Sequence, residues 1–196
     1  MKNSPFLGIL LVFYVLTGAT SNAQTHFSIE ESSDNCIEIS GTSTFHDWTM
    51  ETKSLSGQAQ FNLLPGTDIT GLTMLELSIP AKSLKSNNRA LNKNAWKALK
   101  TDRFKSIAYK LVSAKITGQE NYRTIITTIG KLTISGVTKE VTIDIHCMAN
   151  KGGSITCTAN YSFNMSDYAI DPPYFMKKLM RTGDKVALDI SMRFER

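Results

Sequence analysis

Residues 126–163 read ITTIGKLTISGVTKEVTIDIHCMANKGGSITCTANYSF. Ile126, Leu132 and Ile134 share one parity. After the connection from Ser135 to Lys139, Val141, Ile143, Ile145 and Cys147 continue the alternation. Past the turn at Asn150 to Gly153 come Ile155, Cys157, Ala159, Tyr161 and Phe163. The positions between them, such as Lys131, Thr142, Asp144, Thr156 and Asn160, are nearly all polar. A period of two over three successive runs means pleated strands with one dry and one wet face. The short, glycine-bearing links suit antiparallel neighbours and leave no room for crossover helices.

Upstream, the same alternation predicts strands over Cys36 to Phe45, Leu55 to Leu63 and Gly71 to Ile79, with a fourth beginning at Ser106. His46-Asp47-Trp48 reads as a turn or bulge, and Pro80 ends its strand because proline cannot donate to a central ladder. From Asn92 to Lys100 the spacing changes: Leu91, Ala95 and Leu99 stand four apart, with Lys93, Lys97 and Lys100 mainly on the other face. This is a short amphipathic helix between the third and fourth strands, its stripe read first as core packing. Downstream, Asp171-Pro172-Pro173 forbids a strand interior, Tyr174 to Met180 suits a helical turn, and Thr182-Gly183-Asp184 reads as a turn. Val186, Leu188, Ile190, Met192 and Phe194 then form the last strand. Eight antiparallel strands allow a two-layer sandwich or a closed barrel. Long strands in sequential hairpins favour an all-β, up-and-down, lipocalin-like barrel, either self-filled or holding one ligand.

The first residues stand outside that fold. Lys2 precedes an apolar run from Phe6 to Leu16, and Ser21-Asn22-Ala23 places small residues where a signal peptidase cuts. The run is short for a membrane span. We therefore expect a signal peptide over 1–23 and one barrel domain over 24–196, exported to the periplasm, with secretion as second choice. No transmembrane segment is expected in the mature chain, which leaves room for transient membrane contact. The formal charge of +5 suggests solubility and contact with an anionic head group rather than nucleic acid. Of three cysteines, Cys147 and Cys157 would face each other across one hairpin, either as a disulfide or as two small apolar fillers. Cys36 is left without a partner.

Several motifs resemble the YceI-like family, in the form found on its Bacteroidetes side. Gly41-Thr42-Ser43-Thr44-Phe45-His46-Asp47-Trp48 resembles its opening motif, and residues 91–100, followed by Phe104-Lys105-Ser106-Ile107, resemble its helix segment. The stretch 130–141, GKLTISGVTKEV, is similar to its strand-turn-strand signature, and Tyr168 to Pro173 and Thr182-Gly183-Asp184 follow in order. Ser106 departs from the proline that many members carry there. The resemblance implies a periplasmic lipocalin-like barrel whose apolar channel holds a polyisoprenoid or related lipid.

The chain shows little that could do bond-making chemistry. His46 and Asp47 are adjacent, so in a strand they point to opposite faces. No Gly-x-Ser-x-Gly elbow, metal-ligand spacing or phosphate loop is present. A non-enzymatic role follows: binding, sequestration or transport of an isoprenoid (polyprenyl or quinone-like) or another long-chain lipid, with no cofactor beyond that bound lipid. The alternative is a filled barrel that serves as a protein-interaction module in the envelope stress response. The candidate ligand contacts are Phe45, Trp48, Phe61, Leu75, Leu77, Ile79, Trp96, Leu99, Phe104, Ile107, Tyr109, Ile126, Ile134, Ile143, Ile145, Phe163, Tyr168, Met176, Leu188 and Ile190. Any of these can equally be core filler. Trp96, Phe104, Tyr168, Tyr174, Phe175 and Met176 would shape the mouth. Lys97, Lys100, Arg103, Lys177, Lys178 and Arg181 beside them suit a diphosphate or a plain solvated face.

Overall fold

The computed structural model describes residues 24–30, 34–64, 68–175 and 180–196. The signal peptide expected over 1–23, Pro65 and Gly66, and Met176, Lys177 and Lys178 lie outside the described residues. The strands are β1 Gln24–Ile29, β2 Cys36–Ser43, β3 Trp48–Thr52, β4 Ser56–Leu63, β5 Ile69–Pro80, β6 Ser106–Glu120, β7 Arg123–Ile134, β8 Val137–Ala149, β9 Ile155–Asn164, β10 Tyr174–Phe175 and β11 Met180–Glu195. Helix α1, Arg89–Ala98, sits between β5 and β6.

Each strand from β4 to β9 pairs antiparallel with the next, and β9 pairs with β11. The ring closes because β1 and β2 both run antiparallel to β11, at Ile29↔Phe194 and at Ile37↔Ile190. The same two strands pair with β4 and β3 respectively. β1 with β2, and β3 with β4, therefore behave as two long interrupted strands forming one hairpin. The result is an eight-stranded, antiparallel, up-and-down barrel.

The expected strands map one to one onto this ring, with extensions. β1 and β3 are additions, each contributing only a few inward apolar residues. The connection expected over Ser135 to Lys139 is tighter. Ile134 pairs directly with Val137, and Ser135 and Gly136 both adopt positive φ (49° and 81°), the two-residue turn whose twist suits a hairpin. Helix α1 starts earlier than the apolar spacing suggests, because the Asn88 side chain accepts from the amides of Ala90 and Leu91 at 2.9 and 3.1 Å. Thr182-Gly183-Asp184 is a register shift inside β11, not a turn. Ser166 holds it by donating its backbone N–H and its hydroxyl to the Asp184 carboxylate. Tyr174–Phe175 is extended and pairs with β11. The helical turn before the last strand lies at Met165–Tyr168.

The interior divides along the barrel axis. At one end Phe27, Phe61 and Phe194 meet edge to face, with centroids 5.6 and 5.8 Å apart. Ile126, Ile155, Ala59 and the Cys147–Cys157 disulfide fill the space around them, all essentially without exposure. This half is solid. The other half is where the inward residues stop short of one another.

Candidate functional site

Inward positions near the second end of each strand surround a cavity. Trp48 and Met50 come from β3, Leu75, Leu77 and Ile79 from β5, and Ile107 and Tyr109 from β6. Leu132 and Ile134 (β7), Ile143 and Ile145 (β8), Ala159, Tyr161 and Phe163 (β9), and Leu188 and Ile190 (β11) complete the wall. Leu91, Ala95, Ala98 and Leu99 of α1 cover the mouth. The helical stripe thus packs on the hollow, not on a solid core. Water-sized molecules could place their centres in about 160 Å³ of this space. That is the scale of an apolar cavity that stays dry and takes one benzene ring.

Among the described residues the wall carries no carboxylate, imidazole or ammonium group. Its few polar atoms are already engaged. The Tyr109 hydroxyl donates to Thr128 at 2.9 Å, and Thr128 donates onward to the Ile143 carbonyl at 2.8 Å. Burial raises the Tyr109 pKa, so this phenol stays a neutral donor. Thr182 donates to the Pro173 carbonyl at 2.8 Å, and the Trp48 indole donates to the Thr42 carbonyl at 3.1 Å. With its donors spent internally, the cavity selects for hydrocarbon rather than for a polar guest.

Thirteen of the candidate residues line this space: Trp48, Leu75, Leu77, Ile79, Leu99, Ile107, Tyr109, Ile134, Ile143, Ile145, Phe163, Leu188 and Ile190. Phe61 and Ile126 lie in the solid half, fully buried. Phe45 projects from the loop between β2 and β3 and is 60% exposed. Trp96 turns away from the hollow, its indole donating to the Leu84 carbonyl at 3.0 Å. Phe104 packs on Gly136 of the β7–β8 turn and carries the Arg103 guanidinium over its ring. Tyr168 lies behind Phe163, centroids 5.1 Å apart.

Ile37 and Ile39 on β2, and Val186 and Met192 on β11, also line the cavity. Their signal was available, since each continues an apolar alternation. Met165 and Ile170 reach the cavity from an irregular segment, where no periodicity could place them.

Tyr168 is 1% exposed, and its hydroxyl makes no well-formed hydrogen bond among the described residues, with the Tyr161 phenol beside it. Burial first, then the neighbouring Tyr161 and Asp167, hold its pKa well above the usual tyrosine range. His46 is not positioned as a base. Its ring is exposed, and its backbone carbonyl and N–H are both engaged by the Ser43 hydroxyl. Among the described residues no group of acidic, histidine and cysteine side chains could hold a metal ion.

Three solved structures share this fold. BcnA from Burkholderia cenocepacia superposes with a TM-score of 0.65 at 14% identity, covering 84% of this chain and 98% of its own. A protein from Saccharophagus degradans, described as a polyisoprenoid binding domain, gives 0.63 at 12% identity over 86% and 97%. The YCEI protein of Campylobacter jejuni gives 0.55 at 20% identity over 74% and 83%. No curated protein sequence matches the chain. Residues 14–194 match the YceI-like domain as a whole. The half-hollow barrel, its helical cover and this match over nearly the full length agree: the chain belongs to the YceI-like domain family.

Proposed function

We propose that this protein is a non-enzymatic carrier that binds an isoprenoid, polyprenyl or quinone-like, or another long apolar chain inside its barrel. What supports the reading most is the hollow half itself, walled by apolar side chains whose neighbouring polar atoms are already paired. Each buried methylene contributes about 0.8 kcal/mol, so such a wall needs no polar anchor to retain a chain. The polyisoprenoid binding domain among its structural relatives supports the same ligand class. The resting space admits a ring-sized group, so a longer chain has to displace part of the wall. Met50, Met165 and Met192 supply the adaptable side chains for that repacking, and α1 is the cover nearest the mouth.

The apolar run at Phe6 to Leu16 and the small residues before Gln24 support removal of residues 1–23 and a periplasmic site of action. Solvent extraction of the purified protein, followed by mass spectrometry, tests the ligand. A polyprenyl, quinone or other long-chain species at near-stoichiometric yield is expected. Recovery of none, with no uptake of added polyprenol, overturns the reading. Terminal sequencing of protein from the periplasmic fraction tests the cleavage site.

A further inference from the structure

We infer that the face bearing α1 is a docking surface for anionic lipid bilayers. Residues 81–105, the insert that closes the mouth, contain Lys82, Lys85, Arg89, Lys93, Lys97, Lys100, Arg103 and Lys105 against a single acid, Asp102. All eight cations are exposed. Among the described residues only Lys82 has a carboxylate within ion-pair distance, Asp102 at 2.9 Å.

The helix sorts its residues by face. Leu91, Ala95, Ala98 and the capping Leu99 line the cavity, while Arg89, Lys93 and Lys97 recur at steps of four on the exposed side and exposed Lys100 follows just past the helix end. Like charges stacked on one helical face repel one another, a cost that an anionic surface would relieve. The plugged end shows no such bias: Asp34, Asp68, Glu120 and Glu195 mix there with Arg123, Lys151 and Arg193.

The rest of the rim adds interfacial side chains. Phe45 and Tyr174 are 60% and 50% exposed. Both sit beside exposed Arg181, since Tyr174 pairs with Arg181 and the Thr44 amide donates to the Arg181 carbonyl at 3.1 Å. Asp47, Asp167, Asp171 and Asp184 on these segments are the local counter-charges, the last of them acting on Arg181. Lys100 ties the two sides of the mouth together by donating to the Ala169 carbonyl at 3.4 Å. Cations at the head groups with aromatic rings at the interface is the combination that holds a peripheral protein on a membrane. The occupant is a bilayer rather than a soluble anion, because the charge is spread along a whole helix instead of converging on one point. Docking would set the covered mouth against a reservoir of apolar chains. The surface argument stands apart from which chain the barrel holds.

The test is co-sedimentation of the chain from Gln24 onward, which holds every described strand of the closed ring. The vesicles are phosphatidylcholine, with or without one-third phosphatidylglycerol. Binding is expected only to the anionic vesicles and should fall steeply with added salt. Replacing Arg89, Lys93 and Lys97 by glutamine lowers partitioning on the order of 100-fold, whereas Lys115→Gln, Lys131→Gln and Lys151→Gln together leave it unchanged. Equal loss in both triple variants, equal binding to neutral vesicles, or release by millimolar inorganic diphosphate would each overturn the proposal. Uptake of detergent-solubilised polyprenol by the Arg89, Lys93, Lys97 variant is measured in parallel. Retained uptake with lost docking separates this surface from the cavity.

Discussion

The Tyr109 ring lies over Gly130, on the strand that also supplies Thr128, the acceptor of its hydroxyl at 2.9 Å. A Cβ added at Gly130 would overlap that ring. Gly130→Ala therefore forces Tyr109 off its rotamer and into the cavity, at a cost of about 1–3 kcal/mol. Thermal unfolding should show a loss of roughly 2–4 °C per kcal/mol. Tyr109→Leu in the same background should recover part of it. An unchanged midpoint for Gly130→Ala alone would contradict this packing.

Tyr168 makes the opposite prediction. Its buried hydroxyl makes no well-formed hydrogen bond among the described residues and meets only the Tyr161 phenol, so Tyr168→Phe should leave stability unchanged or raise it by up to about 1 kcal/mol. The pH dependence has a definite sign. Burial, chiefly, raises the folded-state pKa of Tyr168, and Tyr109 and Tyr161 shift the same way. All three phenols are protonated in both states below about pH 10. Above it the unfolded chain loses protons that the folded one keeps, and stability falls as pH rises. Urea midpoints between neutral pH and about pH 11 should fall less steeply in Tyr168→Phe than in the parent.

The disulfide between Cys147 and Cys157 closes a ten-residue separation within the β8–β9 hairpin. Chain-entropy reasoning gives it about 2–3 kcal/mol. Reduction, or a paired change of both cysteines to alanine, should lower the denaturant midpoint accordingly, and the paired variant keeps Cys36 as its single alkylatable thiol. Three alkylated thiols in the reduced, unfolded parent, against one in the oxidised parent, would verify the pairing.

Filling and emptying the two halves of the barrel should separate stability from binding. Ala159 lies between Ile145 and Ile190 in the cavity wall. Ala159→Phe should occupy the hollow and weaken polyprenol uptake by at least about tenfold, equivalent to the loss of one or two buried methylenes. Phe61→Ala, in the solid half, should cost about 3–5 kcal/mol of stability while uptake at low temperature persists. Matching losses of uptake in both variants would dissolve the distinction between the halves.

The meander from β7 to β9 was legible because its wet face is almost uniformly polar, so alternation could not be mistaken for a buried helix. β1 offered only Phe27 and Ile29 as inward apolar residues, directly after the expected signal peptide, and β3 mixes Trp48 and Met50 with threonines. Neither run is long enough to establish a period. Period two also says which side chains point inward but not whether they meet. The plug depends on three phenylalanines, Phe27, Phe61 and Phe194, converging from β1, β4 and β11, a coincidence of register. For the same reason Phe61 and Ile126 could not be told apart from Ile107 or Ile143 by pattern. Phe45 continues the parity of its strand but sits beyond the last ladder pair, where a loop releases it to solvent.

The seam joining Ile37 and Ile39 to Ile190 and Leu188 has a kinetic corollary. Those partners lie far apart in the sequence, so the ring cannot shut before β11 itself is available to meet β2. Hairpins such as β7–β8 can zip early, yet every one of them waits as an open, edge-bearing sheet for that last encounter. Loop closure over so long a span places folding toward the slow end for small domains. A nascent or truncated chain lacking β11 would then be a sticky ribbon, and a natural client for a holdase.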